Sequence, residues 1–302
     1  MTQKFGVSFS AKYAEQLGLE PLECLEALLK DVGVRRLRLM SYWDLHEATQ
    51  GKYDFTLLDA QLKLAKKYKA EVSLCIGYRQ PRYPENHQPT WAEELFHTDA
   101  TAWRLALFAY ITEVVNRYKD NKIIVEWQLE NEALNRNFGV NGEFDRVRLR
   151  YEKDLVKELD PDRPIVMSTS STFAIPFRRP RPHRYGFSIY RVQYKNDAYQ
   201  WSKLPAWYFR LRAHTIHFFT RKHTFIHELQ TEPWGPKGTQ DLSLKEQFKS
   251  MNSEQFRKNV AFAKSLKLYP IDFWGGEWWY WLKVRHKNDT LWKEAKRLYR
   301  KK

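Results

Sequence analysis

Hydrophobic and polar positions follow two patterns that alternate along the chain. Short apolar segments alternate with longer segments in which apolar residues recur every three or four positions, as in the group Leu22, Leu25, Leu28 and Leu29. Short apolar segments are typical of buried strands, and the three- and four-residue spacing is typical of amphipathic helices. The alternation predicts β/α units around a parallel sheet.

Eight segments are predicted to be strands. They are Phe5–Ser10, Arg36–Met40, Glu71–Gly77, Ile123–Asn131, Ile165–Ser170, Gly186–Tyr190, Thr224–Gln230 and Ile271–Gly275. Helices are predicted between them, including Trp103–Tyr118, Phe144–Leu159, Trp207–Phe219, Ser253–Leu266 and Thr290–Tyr299. The crossover from Ser171 to Tyr185 contains three prolines, which disfavour a helix. The alternation of eight strand segments with helical segments predicts an α/β fold, a (β/α)8 TIM barrel, as a single domain over residues 1–302.

Two long inserts are predicted at one end of this barrel. The segments Tyr78–Trp91 and Thr231–Leu244 follow the third and seventh strands. Both leave from the carboxyl ends of strands, where barrels of this class carry their chemistry. We therefore expect the functional site on this face.

Composition narrows the function classes only slightly. The chain has 51 Lys+Arg against 36 Asp+Glu, a net charge of +15, with much of the excess near Arg178–Arg184 and in the last twenty residues. Such a charge attracts nucleic acid, anionic lipid or acidic polysaccharide, although a solvated basic surface is the simpler interpretation. The 12 Trp residues suit stacking on sugar rings. The residues Cys24 and Cys75 are expected to be free core thiols.

No apolar run is long enough for a transmembrane helix, and no charged start followed by an apolar stretch marks a secretory signal. The compartment stays open, because a leader or anchor is compatible with a strand that begins at Phe5. Oligomeric state is not predicted.

Two glutamates are predicted to meet above the barrel. In Val125–Glu132 the apolar and polar residues alternate, so Glu132 would end the fourth strand on the inner side, beside Asn131. The segment Thr224–Gln230 ends the seventh strand and carries Glu228. Hydrolysis of a glycoside needs one carboxylic acid and one carboxylate, about 5 to 5.5 Å apart if configuration is retained.

Four motifs in order resemble the clan A glycoside hydrolases, in particular family 5 (cellulase-like) enzymes. The segment Leu129–Glu132 resembles their fourth-strand Asn-Glu signature, and Ile226–Glu228 resembles their seventh-strand nucleophile segment. The segment Gly33–Leu39 is similar to their second-strand arginine segment, and Phe273–Trp279 to their eighth-strand tryptophan segment. The likeness spans nearly the whole chain.

The resemblance implies retaining hydrolysis of a β-linked oligo- or polysaccharide without a cofactor. It implies that Glu132 is the acid/base and Glu228 the nucleophile, and that Arg38 keeps the Glu228 carboxylate ionised. It also implies that Trp274 forms the floor beneath the sugar and that Tyr190 lies near the nucleophile.

Four further residues are candidates for the site. Asn131 is expected to bind a sugar hydroxyl, and Glu277 either binds substrate or pairs with an arginine. Glu130 is the alternative candidate to Glu132 as the acid/base, and Glu232 is the alternative candidate to Glu228 as the nucleophile.

Three other functions stay open. Where many family 5 enzymes have a His-x-Tyr pair, this chain has Ser188-Ile189-Tyr190, which allows a catalytically silent carbohydrate-binding barrel. A transglycosylase would use the same glutamates. A metal-dependent phosphodiesterase is suggested by the charge and by His214, His217, His223 and His227, but no recognised zinc pattern occurs, so neither a metal nor a nucleic-acid partner is expected.

The segment Trp207–Phe219 is aromatic and basic. It is interpreted as a core helix with a basic outer face, with contact to a membrane surface as the alternative.

Overall fold

Ten strands form a closed barrel and one hairpin in the computed structural model, which describes residues 4–133, 145–169, 176 and 180–300. The barrel strands are β1 (Phe5–Ser8), β2 (Arg36–Met40), β3 (Glu71–Ile76), β4 (Ile124–Leu129), β5 (Ile165–Thr169), β6 (Arg184–Ile189), β9 (His223–Gln230) and β10 (Ile271–Trp274). They are all parallel, in the order β1-β10-β9-β6-β5-β4-β3-β2. The hairpin consists of β7 (Val192–Lys195) and β8 (Ala198–Trp201).

Helices surround the barrel. They are α1 (Ala11–Gln16), α2 (Pro21–Ala27), α3 (Trp43–His46), α4 (Thr56–Lys67), α5 (Thr90–Thr98), α6 (Ala100–Tyr118), α7 (Arg146–Leu159), α8 (Ala206–Thr220), α9 (Leu244–Ser250), α10 (Ser253–Leu266), α11 (Gly276–His286) and α12 (Thr290–Arg300). A π-helical turn, Leu28–Val32, extends α2, and a 3-10 turn occupies Thr239–Asp241.

The eight predicted strands and the TIM-barrel fold are confirmed. The hairpin β7–β8 and the helices α1, α3, α5, α9 and α11 were not predicted. Most of them are short, and α11 contains Trp278 and Trp279 of the segment that resembles the eighth-strand tryptophan segment of family 5 enzymes. Most of the crossover Ser171–Tyr185 lies outside the described residues, and the single-domain assignment stays a prediction.

The barrel interior is polar rather than purely apolar. Because side chains alternate along β2, Arg36 and Arg38 point inward while Leu37 and Leu39 pack against the helices. Near the amino ends of the strands, Arg36 Nε donates to Asp272 Oδ1 at 2.9 Å and Arg36 Nη2 to Glu126 Oε1 at 2.6 Å. These buried ions compensate one another, which leaves the other end of the interior for a different set of charges.

Within the described parts of the chain, no helix combines the length and the apolar character needed to cross a bilayer. Cys24 and Cys75 are buried free thiols, as expected.

Candidate active site

A cavity of about 450 Å³ opens at the carboxyl ends of the strands, within the usual size range for small-molecule sites. Its lining includes six residues singled out from the sequence: Asn131, Glu132, Tyr190, Glu228, Glu232 and Trp274. The barrel therefore brings the fourth, sixth, seventh and eighth strands to one place, as the sequence predicts.

Arg38 lies behind the cavity wall and organises it. Its Nη1 donates to Glu228 Oε1 at 2.6 Å, and its Nη2 donates to Asn131 Oδ1 at 2.9 Å. Its Nε donates to Gln128 Oε1 at 2.5 Å. The guanidinium is fully buried, so it offers Glu228 a fixed positive charge and holds the end of β4 against β9.

Glu228 is held from a second side by Tyr190, whose hydroxyl donates to Glu228 Oε2 at 2.8 Å. Burial and the neighbouring Glu228 charge raise the pKa of Tyr190 well above its ordinary value, so the phenol keeps its proton and remains a donor. With Arg38 on one oxygen and Tyr190 on the other, the Glu228 carboxylate is fixed in orientation.

Glu132 reaches the same place from β4. Its Oε1 accepts a hydrogen bond from Ser188 Oγ at 2.8 Å, and its backbone N–H donates to Ser168 Oγ at 2.8 Å. Ser188 is in turn the register partner of Glu228 between β6 and β9. One serine thus touches the first glutamate and neighbours the second, so the two carboxyl groups converge.

The alternation predicted for Val125–Glu132 stops earlier than expected. The strand β4 ends at Leu129, and Glu130 has a left-handed φ of 53°. The Glu130 carboxylate consequently accepts from the backbone N–H groups of Tyr78 and Arg79 at 3.1 and 2.9 Å and pairs with Arg148 at 3.3 Å.

Gly77 permits this arrangement, because it has a φ of 101° and a side chain there would collide with the Glu130 carboxylate. Glu130, the alternative candidate to Glu132, holds the loop after β3 through hydrogen bonds and is not among the residues that line the cavity.

Trp274 lines the cavity, but one of its faces is already in contact with Arg82. The Arg82 guanidinium lies 4.0 Å from the centre of the Trp274 ring and 3.7 Å from that of Tyr13. Arg82 also forms an ion pair with Glu232, the alternative candidate to Glu228 as the nucleophile. Neither Arg82 nor Tyr13 was singled out from the sequence, although Arg82 lies in the predicted insert after the third strand. The presence of a charged residue in this insert is the sequence signal that could have identified Arg82.

Glu277 is not brought to the cavity. It is fully buried, accepts from the Ser10 backbone N–H at 2.6 Å and pairs with Arg82 at 3.3 Å. Burial raises the pKa of Glu277 to about 7, although the Arg82 guanidinium opposes the shift. Of the two roles left open by the sequence, pairing with an arginine is observed, because the Arg82 side chain reaches over Trp274 to it.

Glu85 is a carboxyl group that sequence reasoning missed, and it lines the cavity together with Glu132, Glu228 and Glu232. It has a left-handed φ of 75°, and its Oε2 accepts from Asn131 Nδ2 at 3.3 Å. No ion pair with Glu85 occurs among the described residues. Burial and the nearby charges of Glu228 and Glu132 raise the pKa of Glu85 from 4.5 to about 8. A non-glycine residue in this conformation beside two other carboxyl groups is typical of a functional site.

The pKa of Glu85 leads to a testable dependence of stability on pH. Because the folded chain binds this proton more tightly than the unfolded chain, stability falls as the pH rises from 4.5 to about 8. We expect Glu85→Gln, which carries no titrating group there, to show a smaller fall in Tm over this interval than the wild type. Thermal melts followed by circular dichroism measure it, with Glu15→Gln, an exposed carboxyl on α1, as the control. An identical fall in Glu85→Gln and wild type would contradict the assignment.

The basic loop Arg178–Arg184 is only partly described, since Arg178 and Arg179 lie outside the described residues. Arg184 begins β6 and pairs with Glu126, at the end of the barrel opposite to the cavity. Of the described part of this loop, no residue lines the cavity. The hypothesis of a metal site at His214, His217, His223 and His227 gains no support from the structure. Among the described residues, no group of three or more His, Cys, Asp or Glu side chains is arranged to hold a metal ion.

Comparisons with known proteins agree with the barrel fold. The profile of the family described as Glyco_hydro_42, beta-galactosidase, matches residues 13–148. Beta-galactosidase BgaA of Clostridium cellulovorans is 26% identical over 120 residues, which are 35% of this chain and 18% of that protein.

Two solved structures share the fold over 90% of this chain. One is the polyextremophilic beta-galactosidase from the haloarchaeon Halorubrum lacusprofundi, with a TM-score of 0.58 and 14% identity. The other is the exo-beta-1,4-mannosidase Op5Man5 from Opitutaceae bacterium strain TAV5, with a TM-score of 0.61 and 12% identity. This chain covers 52% and 51% of these structures, about half of their length.

The class of protein follows from the fold and the cavity together. The chain has a (β/α)8 barrel with the cellulase-like fold of clan A glycoside hydrolases, so the fold that the four motifs implied is confirmed. Within this class, both the matching family profile and the curated relative carry the description beta-galactosidase.

Proposed function

We propose that this chain hydrolyses β-linked oligo- or polysaccharides with retention of configuration, with Glu132 as the acid/base and Glu228 as the nucleophile. The observation that carries the proposal is the convergence at Ser188. Its hydroxyl donates to Glu132 at 2.8 Å, and Glu228 is its partner in the β6–β9 register. Both carboxyl groups line one cavity, and a double displacement requires two carboxyl groups at one site.

The two glutamates have different surroundings, which supports different roles. Glu228 is paired with Arg38 and accepts from Tyr190, so its charge is stabilised and its lone pairs are oriented. Glu132 accepts from the Ser188 hydroxyl at 2.8 Å. A carboxylate that is paired with a buried arginine and oriented by a second donor is suited to attack, which supports Glu228 as the nucleophile and leaves the acid/base role to Glu132.

The proposed reaction has two steps. In the first, a Glu228 oxygen bonds to the anomeric carbon as the glycosidic bond breaks, and Glu132 gives its proton to the departing oxygen. In the second, Glu132 takes a proton from water, the water oxygen bonds to the anomeric carbon, and the ester bond to Glu228 breaks. The product hemiacetal has the configuration of the substrate, and Glu132 ends protonated as it began. No metal or cofactor enters either step.

The substrate class is proposed from similarity. The relatives are described as a beta-galactosidase and an exo-beta-1,4-mannosidase, so β-galactosides and β-mannosides are the first substrates to test. Arg82 and Glu85 enter the cavity beside Trp274 and Asn131. We expect these two side chains to select among sugars, because each presents charge or hydrogen-bonding groups to the hydroxyls of a bound ring.

Proton NMR of the first product tests the proposal. We expect aryl β-galactosides or β-mannosides to release the β-hemiacetal first, with the α-anomer appearing only by later mutarotation. Initial release of the α-anomer would contradict a retaining mechanism. Calorimetric binding of oligosaccharides without turnover would instead support the catalytically silent barrel, and transfer products longer than the substrate would support a transglycosylase.

A further inference from the structure

Helix α8 has an apolar surface on the side that faces away from the barrel. Its inner side packs onto the barrel through Phe209 and Ile216, which are buried. On the outer side, Trp207, Leu211 and Phe218 are 60%, 56% and 67% exposed. A surface helix normally has one apolar face, so a second one indicates a further contact.

These side chains form a continuous line along the helix. Trp207, Leu211, His214 and Phe218 follow one another at intervals of four, three and four residues, which places them on one face. We name this line the α8 stripe. Arg210 and Arg221 are exposed beside it. The outer face is thus apolar as well as basic, which differs from the purely basic outer face expected for a core helix.

The sequence around the α8 stripe has formal charges of one sign. Residues 198–227 contain five Lys+Arg and four His, and they contain no Asp or Glu. Trp201, which ends the hairpin strand β8 shortly before the helix, is 58% exposed and adds another aromatic side chain. Aromatic and aliphatic side chains flanked by arginine are typical of helices that lie in the interface of a membrane.

We propose that the α8 stripe is a docking surface for membranes that contain anionic lipids. Trp207, Leu211 and Phe218 would enter the boundary between headgroups and acyl chains, and Arg210 and Arg221 would pair with lipid phosphates. The helix stays packed on the barrel, so the association is peripheral. The proposal does not depend on the proposed hydrolase activity.

The positive charge favours an anionic membrane over a second copy of the chain. A two-fold dimer through the α8 stripe would bring Arg210 and Arg221 of both copies together, and residues 198–227 supply no carboxylate to compensate them. An anionic bilayer supplies phosphates to every cation and an apolar layer to the stripe at the same time.

Sedimentation of the full chain with lipid vesicles tests the proposal. We expect binding to phosphatidylcholine vesicles with roughly one third phosphatidylglycerol, and at least about tenfold weaker binding for Trp207→Ser/Leu211→Ser/Phe218→Ser. Since one basic residue contributes roughly fivefold to such binding, Arg210→Glu/Arg221→Glu is expected to lose more than about 25-fold.

The matched control replaces exposed apolar side chains elsewhere. Leu105, Val147 and Tyr151 on α6 and α7 are 64%, 56% and 53% exposed, and their serine variants are expected to bind vesicles as the wild type does. Equal loss in this control would overturn the proposal, as would undiminished binding by the Arg210→Glu/Arg221→Glu variant.

Sedimentation velocity without lipid measures whether the chain forms a dimer through the α8 stripe. Absence of vesicle binding together with a dimer that the stripe variant abolishes would replace the membrane with a second copy and overturn the proposal. Capture by an acidic protein with no vesicle binding would also overturn it. Circular dichroism verifies that each variant is folded.

Discussion

The Glu228→Gln variant is expected to lose about 10⁴-fold or more in kcat on aryl β-glycosides. The amide is nearly the same size but cannot form the glycosyl ester, and it removes the negative charge that meets the developing positive charge at the anomeric carbon. Steady-state release of the aryl group measures the loss. Azide added to Glu228→Ala is expected to restore turnover and to yield the glycosyl azide of inverted configuration, because it attacks from the vacated side.

Folding has to be separated from chemistry in this variant. Removing the Glu228 charge leaves the fully buried Arg38 guanidinium without its anionic partner, which lowers the free energy of unfolding. Glu228→Asp keeps the charge and withdraws it by one methylene, so it is expected to fold and still to lose most activity. Glu232→Gln is the matched control, and a loss as large as that in Glu228→Gln would contradict the assignment of the nucleophile.

Glu132→Gln is expected to show a loss that depends on the leaving group. Without the acid, kcat/KM for alkyl or sugar leaving groups falls by about 10²- to 10⁴-fold. A dinitrophenyl leaving group needs no protonation, so its first step is nearly unchanged. The second step then lacks its base, and the glycosyl ester on Glu228 accumulates. A burst of dinitrophenol in stopped-flow measurements, followed by slow turnover, is the expected result.

Glu130→Gln is the control for this prediction, because Glu130 lies on the same strand end but faces Arg148 and the loop after β3. We expect lower stability and an unchanged dependence on the leaving group. The acid/base assignment to Glu132 would be contradicted by equal losses of activity on all leaving groups in Glu132→Gln, or by a burst in Glu130→Gln.

The shared location of Glu132 and Glu228 in one cavity was predictable because of a property of parallel barrels. Every strand ends at the same rim, so residues that end the fourth and seventh strands approach one another without any sequence signal that connects them. Ser188 carried no such expectation. It stands where related enzymes have a histidine, and its contacts with Glu132 and register with Glu228 emerged only from the folded barrel.

The loop after β3 was the part of the site that sequence reasoning could locate but not resolve. Its position at the rim was predicted, but the left-handed conformations of Arg82 and Glu85 aim both side chains into the cavity. Non-glycine residues adopt this conformation only when surrounding contacts enforce it. No local pattern in the sequence indicates those contacts.

By itself the sequence determined the barrel, its eight strands and the two glutamates at its mouth, since hydrophobic periodicity is local and strand ends in a parallel barrel share one rim. Only the tertiary structure decided that Glu130 turns away, that Glu277 pairs with Arg82, and that Glu85 joins the cavity. Each of these outcomes depends on which side chains from distant segments compete for the same cation, N–H group or space, and that competition exists only once the chain is folded.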